Sequence, residues 1–204
     1  MSPVTKGQWR AELRAARQSM DDGARHRAAA GLAAAGLAWA GQVAAAASAP
    51  TLCCYLSVGH EPATGPLLAA LAAAGYRVVV PVCEPGFQLS WVAWSGGVEL
   101  ARSSLAPVLE PVGERFTFTA LGAVAGILLP ALAVDGGGVR LGQGGGYYDR
   151  FLARAASATG GPAPTAAVVY AGEVFAAGTL PHDALDRPVD YLLTPDGFRA
   201  AGGE

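Results

Sequence analysis

The pattern of apolar and polar positions divides the chain into a helical start and a remainder in which strands and helices alternate. From Lys6 to about Leu37, Trp9, Leu13, Ala16 and Met20 recur at four- and three-residue steps on one helical face, and Lys6, Arg10, Arg14 and Arg17 recur on another. The triplet Asp21-Asp22-Gly23 predicts a break into two helices, with Asp21 or Asp22 as cap. Apolar runs at residues 51 to 58 (TLCCYLSV) and 76 to 83 (YRVVVPVC) flank the helical LLAALAAAG, a β-α-β unit for which parallel pairing and a right-handed crossover are expected. Residues 87 to 94 (FQLSWVAW) alternate more, as an edge or antiparallel strand does. The proline- and glycine-spaced stretch that follows, to about residue 120, reads as irregular. Residues 124 to 134 (VAGILLPALAV) are the most apolar strand candidate and are expected to be central, with pairing that stops or bulges near Pro130. A helix from about Gly146 to Ala158, a surface loop at residues 159 to 165, and strands at residues 165 to 171 and 190 to 195 complete the pattern. The sum is one domain over residues 1 to 204, an α/β three-layer sandwich with a mostly parallel sheet.

Composition changes this picture by exclusion. Charged residues are 15 % of the chain and the formal net charge is −2, so neither a broad basic surface for nucleic acid nor a polybasic tail for anionic membrane is present. Much of the 52 % apolar content is alanine in runs broken by glycine, which reads as a soluble helix and not a membrane span. The first residues lack the basic-then-apolar order of a secretory signal. Cys53, Cys54 and Cys83 have no C-x-x-C spacing and read as buried thiols in a reducing compartment. A cytoplasmic monomer acting on small molecules is expected. Lys6 stands out as the only lysine beside thirteen arginines, as if an ammonium were needed there.

The chemistry centres on RLGQGGGYYDRFL, residues 140 to 152. In open α/β sheets ligands sit beyond the carboxyl ends of strands, and this segment follows a core strand and opens a helix. Gly142, Gly144, Gly145 and Gly146 leave backbone amides bare for an anion, and the helix start adds a positive dipole end. A nucleotide triphosphate suits that arrangement; a tight turn is the plainer alternative. No lysine follows the glycines as in a Walker A loop, and the sixth position of GQGGGY is tyrosine, unlike a dinucleotide fingerprint. Asp149, in the first helical turn, could hold Mg²⁺ between phosphoryl groups or could simply favour the helix start. Asp183, Asp186 and Asp190 are candidates for a second ligand. Glu61, just beyond a strand, could grip a ring N–H, and His60 and His182 could act as bases, although no Ser or Cys motif accompanies them.

Four blocks in this order resemble the 5-formyltetrahydrofolate cyclo-ligase family, also called 5,10-methenyltetrahydrofolate synthetases: KGQWR, YLSVGHEPAT, LLPALAVDGGGVRLGQGGGYYDRFL and LPHDALDRPVDYLLT. The resemblance spans nearly the whole chain, and the third block is the most specific. It implies a fold akin to the sugar-phosphate isomerase and coenzyme A transferase group. It also implies ATP- and Mg²⁺-dependent conversion of 5-formyltetrahydrofolate to 5,10-methenyltetrahydrofolate. By the same resemblance ATP would meet Lys6, Gly7, Gln8, Trp9, Arg10 and the segment Arg140, Leu141, Gly142, Gln143, Gly144, Gly145, Gly146, Tyr147 and Tyr148. Lys6, Arg10, Arg140 and Tyr148 would be catalytic, Leu56, Glu61 and Tyr147 would meet the folate, and Asp149 and Asp186 would hold the metal. Gln143 stands where relatives often carry an aromatic or basic residue, and Gly145 where some carry lysine. Two other readings compete: a folate- or nucleotide-binding relative without turnover, and an ATP-independent sugar-phosphate isomerase.

Overall fold

The computed structural model describes residues 4–45, 50–155 and 163–203. Helix α1 (Lys6–Ser19) starts at a capping box in which Thr5 and Gln8 satisfy each other's amides, and α2 (Asp22–Val43) is capped by the Asp21 carboxylate, 2.7 Å from the Ala24 amide. Then come β1 (Thr51–Cys53), α3 (Gly65–Ala73), β2 (Arg77–Glu84), β3 (Gln88–Ala93), β4 (Leu100–Arg102), β5 (Leu109–Pro111), β6 (Val124–Pro130), β7 (Ala133–Asp135) and β8 (Arg140–Leu141). The chain continues through α4 (Tyr147–Ala155), β9 (Thr165–Val168), β10 (Val174–Phe175), β11 (Tyr191–Thr194) and β12 (Gly197–Ala200). The expected extension of α4 to Ala158, and residues 159 to 162 of the expected surface loop, lie outside the described residues.

The main sheet runs β12-β11-β9-β6-β1-β2-β3, with β11, β9, β6, β1 and β2 parallel and an antiparallel strand on each edge. Side chains alternate between its faces, as a pleated strand requires. Leu52, Val78, Val80 and Leu128 meet Leu32 and Trp39 of α2 and Leu67 and Leu71 of α3. Cys53, Val79, Ile127 and Leu129 meet Phe151 and Leu152 of α4 on the other side. The expected three layers are present.

Four local expectations are corrected. The first apolar run forms only a three-residue strand, because beyond Cys54 the Thr64 hydroxyl captures the chain, donating to the Tyr55 carbonyl at 2.8 Å and accepting from the Ser57 amide at 3.0 Å. The run at residues 124 to 134 is two strands: β6 ends at Pro130, and β7 enters a second sheet of order β10-β7-β8. The stretch called irregular contains the β4–β5 hairpin, whose short and largely exposed strands carry no apolar alternation. Finally, α1 packs on the small sheet, where Leu13 joins Leu132, Ala133 and Leu141, and Trp9 meets Phe175 edge-on at 4.9 Å between ring centroids. That seating turns Leu13 and Arg17 inward and leaves Ala16 exposed, so Arg17 does not belong to a solvent-facing basic stripe.

The small sheet thus sets α1 beside the glycine loop, above the carboxyl ends of β1, β2 and β6. Asp135, fully buried, secures its β7–β8 turn by accepting from the amides of Gly137, Val139 and Gly178 at 2.9 to 3.0 Å.

Candidate functional site

A cleft of ≈ 950 Å³ opens at this end of the sheet, large enough for sizeable small molecules. The glycine loop forms one wall. Gly144 (φ 104°) and Gly146 (φ 71°) adopt left-handed backbone that side chains disfavour, and this lets the chain turn sharply into α4. Helix α1 anchors the loop's near end: Arg10 Nε donates to the Gly142 carbonyl at 2.9 Å, and Arg14 Nη2 donates to the Gln143 carbonyl at 2.9 Å. Arg14 also holds the Gln143 side-chain oxygen at 3.0 Å.

Charge in the cleft is arranged as pairs. Lys6 Nζ lies 2.8 Å from Asp183 Oδ2 and 2.6 Å from Asp186 Oδ2. Burial alone would lower the Lys6 pKa, but its bonds to Asp183 and Asp186 outweigh that and raise it. The same Lys6 bond draws the Asp183 carboxyl below its usual range. In the same cleft, Arg140 Nη2 donates to Asp149 Oδ1 at 2.6 Å. Arg140 Nε is buried without a partner among the described residues. Asp190 is not part of this arrangement; its carboxylate accepts from the Thr165 amide and hydroxyl at 2.8 Å and ties β9 to the start of β11.

Glu61 sits on the loop that Thr64 fastens. Its carboxylate accepts from the Val58 amide at 3.0 Å and the Gln143 side-chain amide at 3.2 Å, so Gln143 bridges Arg14 and Glu61. Burial raises the Glu61 pKa, against the lowering effects of Val58, Gln143 and Arg17. A carboxyl with a raised folded-state pKa loses stability as pH climbs from the ordinary carboxylate range through that pKa. Glu61→Gln is therefore expected to gain stability over wild type at pH 8 and not at pH 4, which thermal melts at both pH values would check.

Of the residues singled out from the sequence, Lys6, Arg10, Leu56, Glu61, Arg140 to Asp149 and Asp186 line this one cleft. Gly7, Gln8 and Trp9 do not line it: Gln8 is engaged with Thr5, and Trp9 anchors α1. His60 and His182 are exposed and lie outside the lining. Cys53 and Cys54 are buried as expected, but Cys83, at the end of β2, is half-buried and reaches the cleft. Burial pushes its thiol up to about 12, a protonated and poorly nucleophilic state at neutral pH. Sequence reasoning missed Ala106 to Glu110 of the β4–β5 hairpin, which also line the cleft, and the buried Arg17–Glu173 pair that seats α1. The hairpin's residues carry no motif; the pair could have been suspected only from an arginine spaced four residues from Leu13. No described helix is long and apolar enough to cross a membrane.

Residues 3–195 match the model of the 5-formyltetrahydrofolate cyclo-ligase family. The chain is 33% identical over 200 residues to a 5-formyltetrahydrofolate cyclo-ligase of Mycolicibacterium smegmatis, covering 96% of each chain. In structure it resembles the 5,10-methenyltetrahydrofolate synthetase of Aquifex aeolicus, with TM-score 0.73, 26% identity and coverage of 98% of this chain and 95% of that one. The Mycoplasma pneumoniae 5,10-methenyltetrahydrofolate synthetase, at TM-score 0.69 and 16% identity over 94% of this chain and 99% of that one, shares the fold.

Proposed function

Because this chain belongs to the 5-formyltetrahydrofolate cyclo-ligase family and is a ligase, we propose that it closes 5-formyltetrahydrofolate to 5,10-methenyltetrahydrofolate at the expense of ATP with Mg²⁺, in the cytoplasm. One observation carries the reading: α1, the glycine loop, the first turn of α4 and the Asp183–Asp186 loop, far apart in sequence, bring a lysine, arginines, bare amides and three carboxylates to a single cleft.

The donor set fits the metal. The carboxylates are hard oxygen ligands, and among the described residues no three His, Cys, Asp or Glu side chains gather into a complete protein cage. That suits an ion held by one or two carboxylates plus phosphates, with Asp149 and Asp186 as the protein's share. When bound, Mg²⁺ would neutralise charge on the phosphoryl oxygens.

The formyl oxygen is a poor leaving group. Transfer of the γ-phosphoryl to it, with departure of ADP, makes it a phosphate ester. N10 then attacks the formyl carbon, phosphate leaves with the oxygen, and the N10 proton is released. Such a sequence requires positioning and charge neutralisation, and no protein nucleophile. Lys6 and Arg10 would meet phosphate oxygens, with Lys6 released from Asp183 and Asp186 as phosphate replaces them. The amides of residues 142 to 146 would cradle the phosphates, and Arg140 would stay on Asp149 to fix its direction. Glu61 and Leu56 would hold the pterin, and Tyr147 and Tyr148 would flank the rings. The protonated Cys83 thiol takes no covalent part. Purified protein incubated with 5-formyltetrahydrofolate, with and without Mg-ATP, tests the reading: the methenyl chromophore should grow only when Mg-ATP is present.

A further inference from the structure

The tip of the β2–β3 hairpin carries a residue that its backbone does not favour. Pro85, Gly86 and Phe87 connect Glu84 to Gln88, and Phe87 has φ 56° directly after Gly86 at 71°. Among the described residues Phe87 is the one non-glycine with positive φ. Left-handed backbone is disfavoured for a residue that bears a side chain, a cost glycine would not incur. The residue is 46% exposed, so burial alone does not explain why phenylalanine sits there.

Its contacts do. The Phe87 ring meets the Tyr147 ring at 5.4 Å and 60°, and the Arg150 guanidinium lies 4.2 Å from the Phe87 centroid. Arg150 Nη1 in turn donates to the Gly146 carbonyl at 3.3 Å, at the last residue of the glycine loop. Tyr147 and Cys83, the latter on the same hairpin, both line the cleft. While α1 holds the loop at Gly142 and Gln143, the Phe87 ring packs on Tyr147 and on Arg150, whose own bond reaches Gly146.

We propose that Phe87 is a positioning residue that clamps the far end of the glycine loop through Arg150 and Tyr147, keeping the loop amides set for nucleotide phosphates. The nucleotide part rests on the function proposed above; the clamp does not. Phe87 touches neither phosphate nor folate in this account, so its effect reaches ligand only through the loop.

The test pairs Phe87→Gly, which relieves the backbone and removes the ring, with Phe87→Tyr, which keeps the ring. Loop-amide hydrogen exchange over residues 142 to 146 is measured in nucleotide-free protein, and Mg-ATP affinity by calorimetry without folate. Exchange in the glycine variant should quicken about tenfold and its Kd for Mg-ATP should rise about tenfold, as loss of a cation–π contact and its ordering would give. Its melting temperature should hold or rise, since the strain is gone. The tyrosine variant should match wild type in all three. Unchanged loop exchange in Phe87→Gly, or a fall of more than about 5 °C in its melting temperature, overturns the clamp. Quickened exchange in a protein whose wild type does not bind Mg-ATP would uphold the clamp and refute the nucleotide reading instead.

Discussion

Replacing Arg17 with methionine is expected to cost about 3–5 kcal/mol of folding stability, a loss typical of stranding one member of a buried ion pair. The Arg17 and Glu173 side chains are 3% and 8% exposed, and the guanidinium grips both carboxylate oxygens, Nε to Oε1 at 2.6 Å and Nη2 to Oε2 at 2.8 Å. Arg17 Nη2 also donates to the Ala131 carbonyl at 2.6 Å, and Glu173 Oε2 accepts from the Tyr170 amide at 2.9 Å. Burial would lower the Arg17 pKa, but Glu173 outweighs it and raises the value, so the guanidinium keeps its charge. Methionine fills the space of the stem and leaves the Glu173 charge buried beside one amide. Urea unfolding of Arg17→Met, Glu173→Gln and the double variant should show the double recovering about 2 kcal/mol of the summed single losses. Additive losses would mean that the two side chains are not coupled. Because α1 carries Lys6, Arg10 and Arg14, loosening it should also weaken the site, and this links a buried ion pair to function.

Asp149→Asn is expected to lower turnover about 1000-fold, equivalent to about 4 kcal/mol of transition-state stabilisation. Asparagine keeps the shape and one oxygen for Arg140, so the Arg140 orientation largely survives, but it removes the charge that a metal bound to phosphates would need. The change is not free of structural effect. The Arg140 side chain is 3% exposed, with Nη1 3.3 Å from the Pro130 carbonyl and Nε without a partner among the described residues, so loss of the anion should cost about 1–2 kcal/mol of stability. Steady-state rates at saturating Mg-ATP, set beside urea unfolding, separate the two. Turnover within tenfold of wild type would remove the carboxylate from the proposed metal site.

The parallel core, the antiparallel edge strand and the break between α1 and α2 were legible because alternation, apolar runs and a cap residue are local signals. The glycine loop was legible for the same reason, and the gathering of Lys6, Asp149 and Asp186 in one cleft follows the resemblance of whole blocks. Arg17 was not. Its spacing from Arg14 and Arg10 places it on a basic face as readily as on a buried one, and only the seating of α1 on the small sheet, together with Glu173 more than 150 positions away, decides. Pro130 marked a stop without revealing that the chain would leave for another sheet. Phe87 gave no signal, because its meaning lies in a backbone angle and in contacts with Tyr147 and Arg150, about sixty positions on.

Ring closure is expected to be coupled to cleavage of ATP to ADP and phosphate in this one cleft. Methenyl formation and ADP release should therefore be followed together in one reaction of the purified protein with 5-formyltetrahydrofolate and Mg-ATP. One ADP for each ring closed, with neither product when either substrate or Mg²⁺ is left out, is the predicted result. Ring closure without ATP, or folded protein that binds both substrates and forms neither product, would contradict it.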